Sequence, residues 1–424
     1  NGGAAKVAPR WLQALESGIS PSKQVRAAAA LIGLDNGSFL PAGLANPAWN
    51  RLRHGPDDTF RCDLIHWLAV TRTPCEVFFR RLVFEPDTSI RRALIQTLAS
   101  LDPRDPRTQP DLRLLGLCWS LYRNDPDAGV HASLAAFLRT WGQAGPIAAT
   151  DALLARTWSG PNSDPHRTWF LNAAGQTCMI VPAAGRPRMP GRRLAVAATE
   201  TTISEYRTVL PGPDGTGAFL DPRHAPEDGA DVGLPVTRVS AQDAMRFCRR
   251  LSELDGIPDD QMCYPPLDQI HAGDPIPTDV GDRRGWRLPT TDEWEYACRG
   301  GTTTTRYFGT NPVLTGRYIW CNRGREATPK PVGTRLPNDF GLLDMLGNVG
   351  EWCTLPAAAG PEATAFPRAD HVPSADEPVA AVLGGSITLP ADEVRLRLPE
   401  EPWTRHRASI GHRRTGFRVV RTLE

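Results

Sequence analysis

The chain has 424 residues, of which 41% are apolar and 22% charged, with a formal net charge of +1. That is about three times a common domain length, so two or more folded units are expected, with enough apolar residues to exclude a disordered or collagen-like chain. Near-neutrality supplies no overall field toward nucleic acid or an anionic membrane, so neither is an expected partner. Of 48 basic residues only Lys6, Lys23 and Lys330 are lysines; a GC-rich genome is the bland explanation and bidentate anion binding the sharper one. No apolar run approaches the roughly 18 to 20 residues that span a bilayer, and Ala27–Leu34 is about the longest. The start at Asn1, without Met or an apolar signal core, is expected of a processed chain or a piece of a longer one. Nine cysteines without a Cys-x-x-Cys pair argue against a disulfide framework or zinc ribbon and predict free thiols in a reducing, cytoplasmic setting.

Residues 1–145 read as helical. Four segments place a polar or basic residue before an apolar helical stripe: Gln24–Asp35, Asp58–Leu68, Ser89–Leu98 and Gly129–Leu138. Glu85-Pro-Asp87 and Asp125-Pro-Asp127 stand in the same place before the last two; Asp caps a helix and Pro suits its first turn. Uneven periods of about 30 to 40 residues predict a HEAT-like α-helical scaffold, with an irregular helical domain as the alternative. Residues 146–165 read as a linker, where periodicity fades into a Gly/Pro-containing stretch. Beyond it, Thr177–Val181 and Arg193–Ala197 read as strands. Ser240 is the expected N-cap of an amphipathic helix to Leu254, with Asp243 completing a capping box and Ala244, Phe247, Cys248, Leu251 and Leu254 its buried stripe. A second short helix is expected from Thr290 or Thr291, and the Ala/Pro-rich stretch Leu355–Ala381 reads as a mobile surface loop.

Several ordered blocks in residues 166–424 carry a resemblance. They are ETTISEY at Glu200–Tyr206, PVTRVS at Pro235–Ser240, FCRRLS at Phe247–Ser252 and GWRLPTTDEWEYACRGG at Gly285–Gly301. PNDFGLLDMLGNVGEW at Pro337–Trp352, GGS at Gly384–Ser386 and GFRVV at Gly416–Val420 complete the set. The segment resembles the formylglycine-generating-enzyme, or sulfatase-modifying-factor, family. The resemblance implies a C-type-lectin-like fold with little regular secondary structure. The expected fold class is thus α+β multidomain, with a HEAT-like scaffold (1–145), a linker (146–165) and a formylglycine-generating-enzyme-like domain (166–424). Trp286, Trp294, Tyr296, Trp320 and Trp352 are its expected buried anchors. The resemblance also implies a structural calcium at the GNVGEW turn, with Asn348 and Glu351 as oxygen donors and a second site at the loop holding Asn322. Gly350 stands where the family has Trp, and an Asx-turn with Glu351 bonding backbone amides is the alternative.

Active family members carry two cysteines after GGS that bind copper(I), a metal suited to soft thiolates. The matching positions here are Leu389 and Val394, and no cysteine follows Cys353; copper is therefore not expected. His54, His66 and His131 lack ligand spacing, and Ser386 sits in no nucleophile elbow. Eight arginines lie between residues 395 and 421. Arg395, Arg397, Arg405, Arg407 and His412 are the candidate ligand-binding set, suited to an acidic protein or peptide, while Arg418 above all is expected to pair with a core acid. The predicted function is a non-catalytic recognition module of a larger bacterial signalling or effector protein. The approach Trp169–Thr177 resembles kinase-linked versions, which implies an output domain elsewhere, such as a Ser/Thr kinase. The alternatives are a formylglycine-generating oxidase or a relative with altered chemistry, and a solenoid-based adaptor.

Overall fold

The fold is taken from a computed structural model that describes residues 2–16, 20–35, 46–157, 160–161, 164–182, 193–212, 233–324, 327–355, 364–365, 379–396, 403–409 and 411–423. Eight helices come first: α1 (Gly2–Glu16), α2 (Pro21–Gly33), α3 (Thr59–Val70), α4 (Cys75–Phe84), α5 (Thr88–Ala99), α6 (Leu112–Asn124), α7 (Ala128–Thr140) and α8 (Ala144–Thr157). Helix α2 packs on α3, α3 on α5 and α5 on α7, while α4 and α6 cover α5 and α7 respectively.

The acid-Pro-Asp motifs set where two helices begin. Asp87 accepts the amides of Ser89 and Ile90, and Asp127 accepts that of Val130. The preceding acid holds each cap in turn, with Glu85 accepting the Asp87 amide at 2.9 Å and Asp125 the Asp127 amide at 3.0 Å. The proline thus lies before the cap instead of in the first turn. Each motif also takes an arginine from the preceding unit, Arg53 to Asp87 at 2.8 Å and Arg92 to Asp127 at 2.5 Å.

Helix α8 occupies much of the segment expected as a linker. It buries only Ile147 and Leu154, so its apolar period is too short to stand out in the sequence. Asp151 fastens it by accepting a hydrogen bond from the Tyr122 hydroxyl at 2.6 Å.

The remainder is mixed α and β. Strands β1 (Trp169–Leu171), β2 (Thr177–Val181) and β3 (Leu194–Ala197) precede α9 (Ile203–Val209) and α10 (Ala241–Leu254); β4 (Trp286–Arg287), α11 (Thr291–Arg299) and α12 (Thr315–Tyr318) follow. Then come β5 (Gly350–Cys353), β6 (Thr364–Ala365), β7 (Val379–Leu383), β8 (Trp403–Arg407), β9 (Thr415–Gly416) and β10 (Val420–Thr422). One sheet runs β1-β2-β3-β10-β4 and the other β6-β8-β7-β5-β9. The first is antiparallel throughout, and its last-made strand, β10, closes between β3 and β4.

The capping boxes form as expected at Ser240/Asp243, and Thr290 caps α11 with Glu293. Ala244, Phe247, Cys248 and Leu251 are buried, whereas Leu254 is 43% exposed at the end of α10. Most of Leu355–Ala381, expected as a mobile loop, lies outside the described residues; Thr364–Ala365 and the segment from Val379 are strands.

The helical layer shares one apolar cluster with part of the sheet region, and a second cluster around Phe247, Trp286, Trp352 and Phe417 lies within the sheet region alone. Leu94, Leu134 and Phe137 belong to the same buried cluster as Trp294, Tyr318, Leu342 and Val420. One of the places where the helices meet the rest of the chain is near the N-termini of α3, α5 and α7. There Asp339 receives Arg61 at 3.1 Å and also Arg92, with the His54 imidazole 4.0 Å away. Gly341 permits the approach. Its φ is +84°, and a Cβ would stand 2.6 Å from the Ala128 carbonyl oxygen.

Candidate functional site: an arginine–tryptophan surface beside the Gly384–Leu396 loop

Gly384 and Gly385 open this loop with φ of +89° and +76°, a backbone path that favours glycine. Main-chain bonds fold it down: Leu389 N donates to Ser386 O, Ile387 N to Asn348 O and Asn322 N to Leu389 O, at 2.8–3.0 Å. Ile387 and Val394 are fully buried beneath it. Arg306 clamps the far end, donating to Ala391 O at 2.6 Å and Val394 O at 3.3 Å.

Trp320 stands beside the loop, bridged to Gly347 just after α12. Its indole N–H donates to the Thr334 hydroxyl at 2.9 Å. The Arg335 guanidinium carbon lies 3.5 Å from the ring centroid and that of Arg323 5.2 Å, within the range of attraction to the ring's negative face. Burial, with Arg323 adding to it, pushes the Arg335 guanidinium below its ordinary value. Cys321 is half-buried between these cations, and burial raises its thiol despite Arg306, Arg323 and Arg335 nearby. No carboxylate lies within ion-pair distance of Arg306, Arg323 or Arg335 among the described residues. Such a group offers stacking area and several fork-like donors together, which suits an anionic ligand carrying planar or extended groups.

The sequence profile of the Sulfatase-modifying factor enzyme 1-like domain matches residues 194–423, more than half of the chain. The chain belongs to this family. The Formylglycine-generating enzyme of Mycobacterium tuberculosis is 46% identical over 81 residues, covering 16% of this chain and 27% of that protein. The Inactive C-alpha-formylglycine-generating enzyme 2 of Bos taurus is 40% identical over 79 residues, covering 16% and 26%. The Serine/threonine-protein kinase pkn1 of Chlamydia pneumoniae is 44% identical over 71 residues, covering 16% and 10%. The chain therefore matches about a quarter or less of the length of these relatives. Strands β1 and β2 lie before the matched range yet pair into the sheet that β3 and β10 continue.

In this member of the sulfatase-modifying factor family, Leu389 and Val394, which follow Gly-Gly-Ser, both approach Gly385. A Cβ on Gly385 would meet Leu389 Cδ1 at 3.2 Å and Val394 Cγ2 at 3.4 Å. Both are aliphatic and offer no ligand to copper. All nine cysteines are free, and eight are buried; burial raises the Cys353 thiol well above its usual value.

The predicted arginine set is dispersed. Arg395 is exposed on the loop beside Arg306. Arg407 is half-buried on β8, and His412 sits beside His406 and Trp352, with ring centroids 5.5 and 6.4 Å away. Arg405 lies in β8 with only its backbone described, and Arg397 lies outside the described residues. Arg395 donates to the Leu396 carbonyl oxygen at 3.2 Å. Sequence reasoning missed Arg306, Arg323 and Arg335, because they follow no periodic spacing and come together around Cys321 only through the folding of the loops after α11 and α12. It also took Trp320 for a buried anchor; Trp286, Trp294 and Trp352 are buried, but Trp320 and Tyr296 are half-exposed.

The expected calcium donors need correcting, because their side chains are already bonded. Asn348 Oδ1 accepts the Lys330 amide at 2.9 Å, while its Nδ2 donates to Glu200 at 2.7 Å and to Lys330 O at 3.1 Å. Glu351 takes Arg418 through both oxygens at 2.6 Å and the Trp294 indole N–H at 2.7 Å. These side chains do not fit a hard cation. Asn322 is exposed with φ of +55°. Among the described residues no three His, Cys, Asp or Glu side chains converge as a metal site. Among the described residues, Oδ1 of Asp344 is a buried carboxylate oxygen left without a partner, and burial raises that carboxyl.

Proposed function

We propose that this chain is a non-catalytic recognition module that binds an acidic protein or peptide segment on the Trp320–Arg323–Arg335 surface. The observation that carries the reading is the group of guanidiniums around an accessible indole without a carboxylate counter-ion among the described residues. The aliphatic pair Leu389 and Val394 supports the absence of copper-dependent oxidation, and a relative named inactive shows that the family's enzymatic fold is also found under that description. The kinase relative supports a setting within a larger signalling protein, and the N-terminal helices serve as a HEAT-like scaffold for it. A structural calcium would have to use Asp344 Oδ1 and main-chain carbonyls, in place of Asn348 and Glu351.

The test is fluorescence polarisation with a labelled hexaglutamate peptide. Binding at low salt should weaken about tenfold or more in Arg323→Glu, since a cation becomes an anion at the contact. Unchanged affinity in that variant would remove the surface from the reading. Incubation with copper and a sulfatase-type cysteine peptide separates the enzymatic alternative: aldehyde formation would overturn the non-catalytic assignment.

A further inference from the structure

A second basic site lies where the helical layer meets the domain, apart from the exposed indole face. A cavity of about 180 Å³ opens between the C-terminal ends of α5 and α7 and the segments after α12, with Ser100, Thr140, Gly316, Arg317, Thr334 and Arg335 in its walls. Arg317 is half-buried and donates Nη1 to the Ser100 carbonyl oxygen at 3.2 Å. Its other guanidinium nitrogens have no further partner among the described residues. Arg335 Nε is buried and likewise without an acceptor. Asp344 acts on Arg335 electrostatically, but no carboxylate lies within ion-pair distance of either arginine among the described residues. Burial lowers both guanidiniums from their ordinary values. Two half-buried guanidiniums face one small cavity, and the buried Nε of Arg335 lacks the acceptor such a donor normally meets. The wall hydroxyls cannot serve as donors to a ligand without rearranging, because Ser100, Thr140 and Thr334 already donate to the carbonyls of Gln96, Ala136 and Pro331. What the cavity lacks is therefore an acceptor-only, negatively charged group.

We infer that this junction cavity binds a small oxyanion, held by Arg317 and Arg335 between the helical layer and the domain. The same chemistry comes from free phosphate or from a phosphorylated side chain, and both are small enough to enter. Because the walls belong to both layers, occupancy ties them together. This site shares Arg335 with the Trp320 surface, whereas Arg317 and the walls from α5 and α7 belong to the cavity alone.

Isothermal titration of the full chain with inorganic phosphate, and separately with phosphoserine, tests the inference. Saturable binding is expected, weakened about tenfold or more by Arg317→Gln, in line with the loss of a charge-assisted hydrogen bond. Ala136→Met, which fills the cavity from α7 without altering charge, should abolish binding, and Arg113→Glu on the exposed face of α6 should leave it intact. Tighter binding of phosphoserine would identify a phosphorylated segment as the source, and equal binding the free ion. No saturable heat at millimolar phosphate, or equal affinity in wild type and Ala136→Met, would overturn the site. Hexaglutamate binding by Ala136→Met is followed in parallel: loss of phosphate with retained peptide binding separates this site from the Trp320 surface.

Discussion

His131 shows how burial at one residue sets a pH dependence. Its ring lies between Tyr122 and Trp169, stacked at 4.3 and 3.8 Å, and its Nδ1 is 2.9 Å from the Tyr122 carbonyl oxygen. Burial lowers the imidazole to about 3. In the unfolded chain the same group titrates near 6.5. Between those values the unfolded state binds a proton that the folded state does not, so stability falls as pH falls through this window. The slope is about 1.4 kcal/mol per pH unit for this group alone. Urea denaturation at pH 7 and pH 5 should show a smaller pH-dependent loss in His131→Phe than in wild type, and an equal loss would reject the assignment. Asp344 permits a second test at this scale. If calcium sits at its unbonded oxygen, a chelator should lower the melting temperature of wild type but not of Asp344→Asn; an equal response, or none, argues against the ion.

At the scale of elements, Asp339 ties two helices to the rest of the chain. Arg61 of α3 and Arg92 of α5 both pair with it, with the His54 imidazole 4.0 Å away. Arg61 is only 4% exposed, and its charge rests on Asp339 and Asp58; burial is outweighed by these acids, which raise its pKa. Removing one partner of a buried pair commonly costs about 3–5 kcal/mol. Asp339→Ala should therefore lose stability of that order in urea and separate the helical transition from that of the sheets. A shift below about 1 kcal/mol would mean that the apolar contacts alone hold the layer. The docking depends on geometry that the sequence does not display. Asp339 is 278 residues from Arg61, and no local pattern marks it as their shared counter-ion. By contrast, the caps Asp87, Asp127, Ser240 and Thr290 could be read directly, because a cap and the amides it accepts lie within three residues.

Across the whole molecule, the shared core predicts cooperative behaviour. Buried residues from α5 and α7 continue into the cluster that contains Trp294 and Val420, so wild type should unfold in one transition, with circular dichroism and tryptophan fluorescence coincident. Two separated transitions in wild type would contradict a common core. The sequence by itself determined the helical N-terminal half, the motifs of the sulfatase-modifying factor family, the absence of a cysteine after Cys353 and the buried role of Arg418. These depend on periodicity, on capping over a few residues, or on a residue type being present or absent. Only the tertiary structure decided that α8 fills the expected linker, that Asn348 and Glu351 spend their side chains inside the protein, and that Arg323 and Arg335 meet over Trp320. The first two depend on groups distant in the chain, such as Tyr122 for α8 and Glu200 and Arg418 for Asn348 and Glu351, and the third on how the loop after α12 folds back over its own indole.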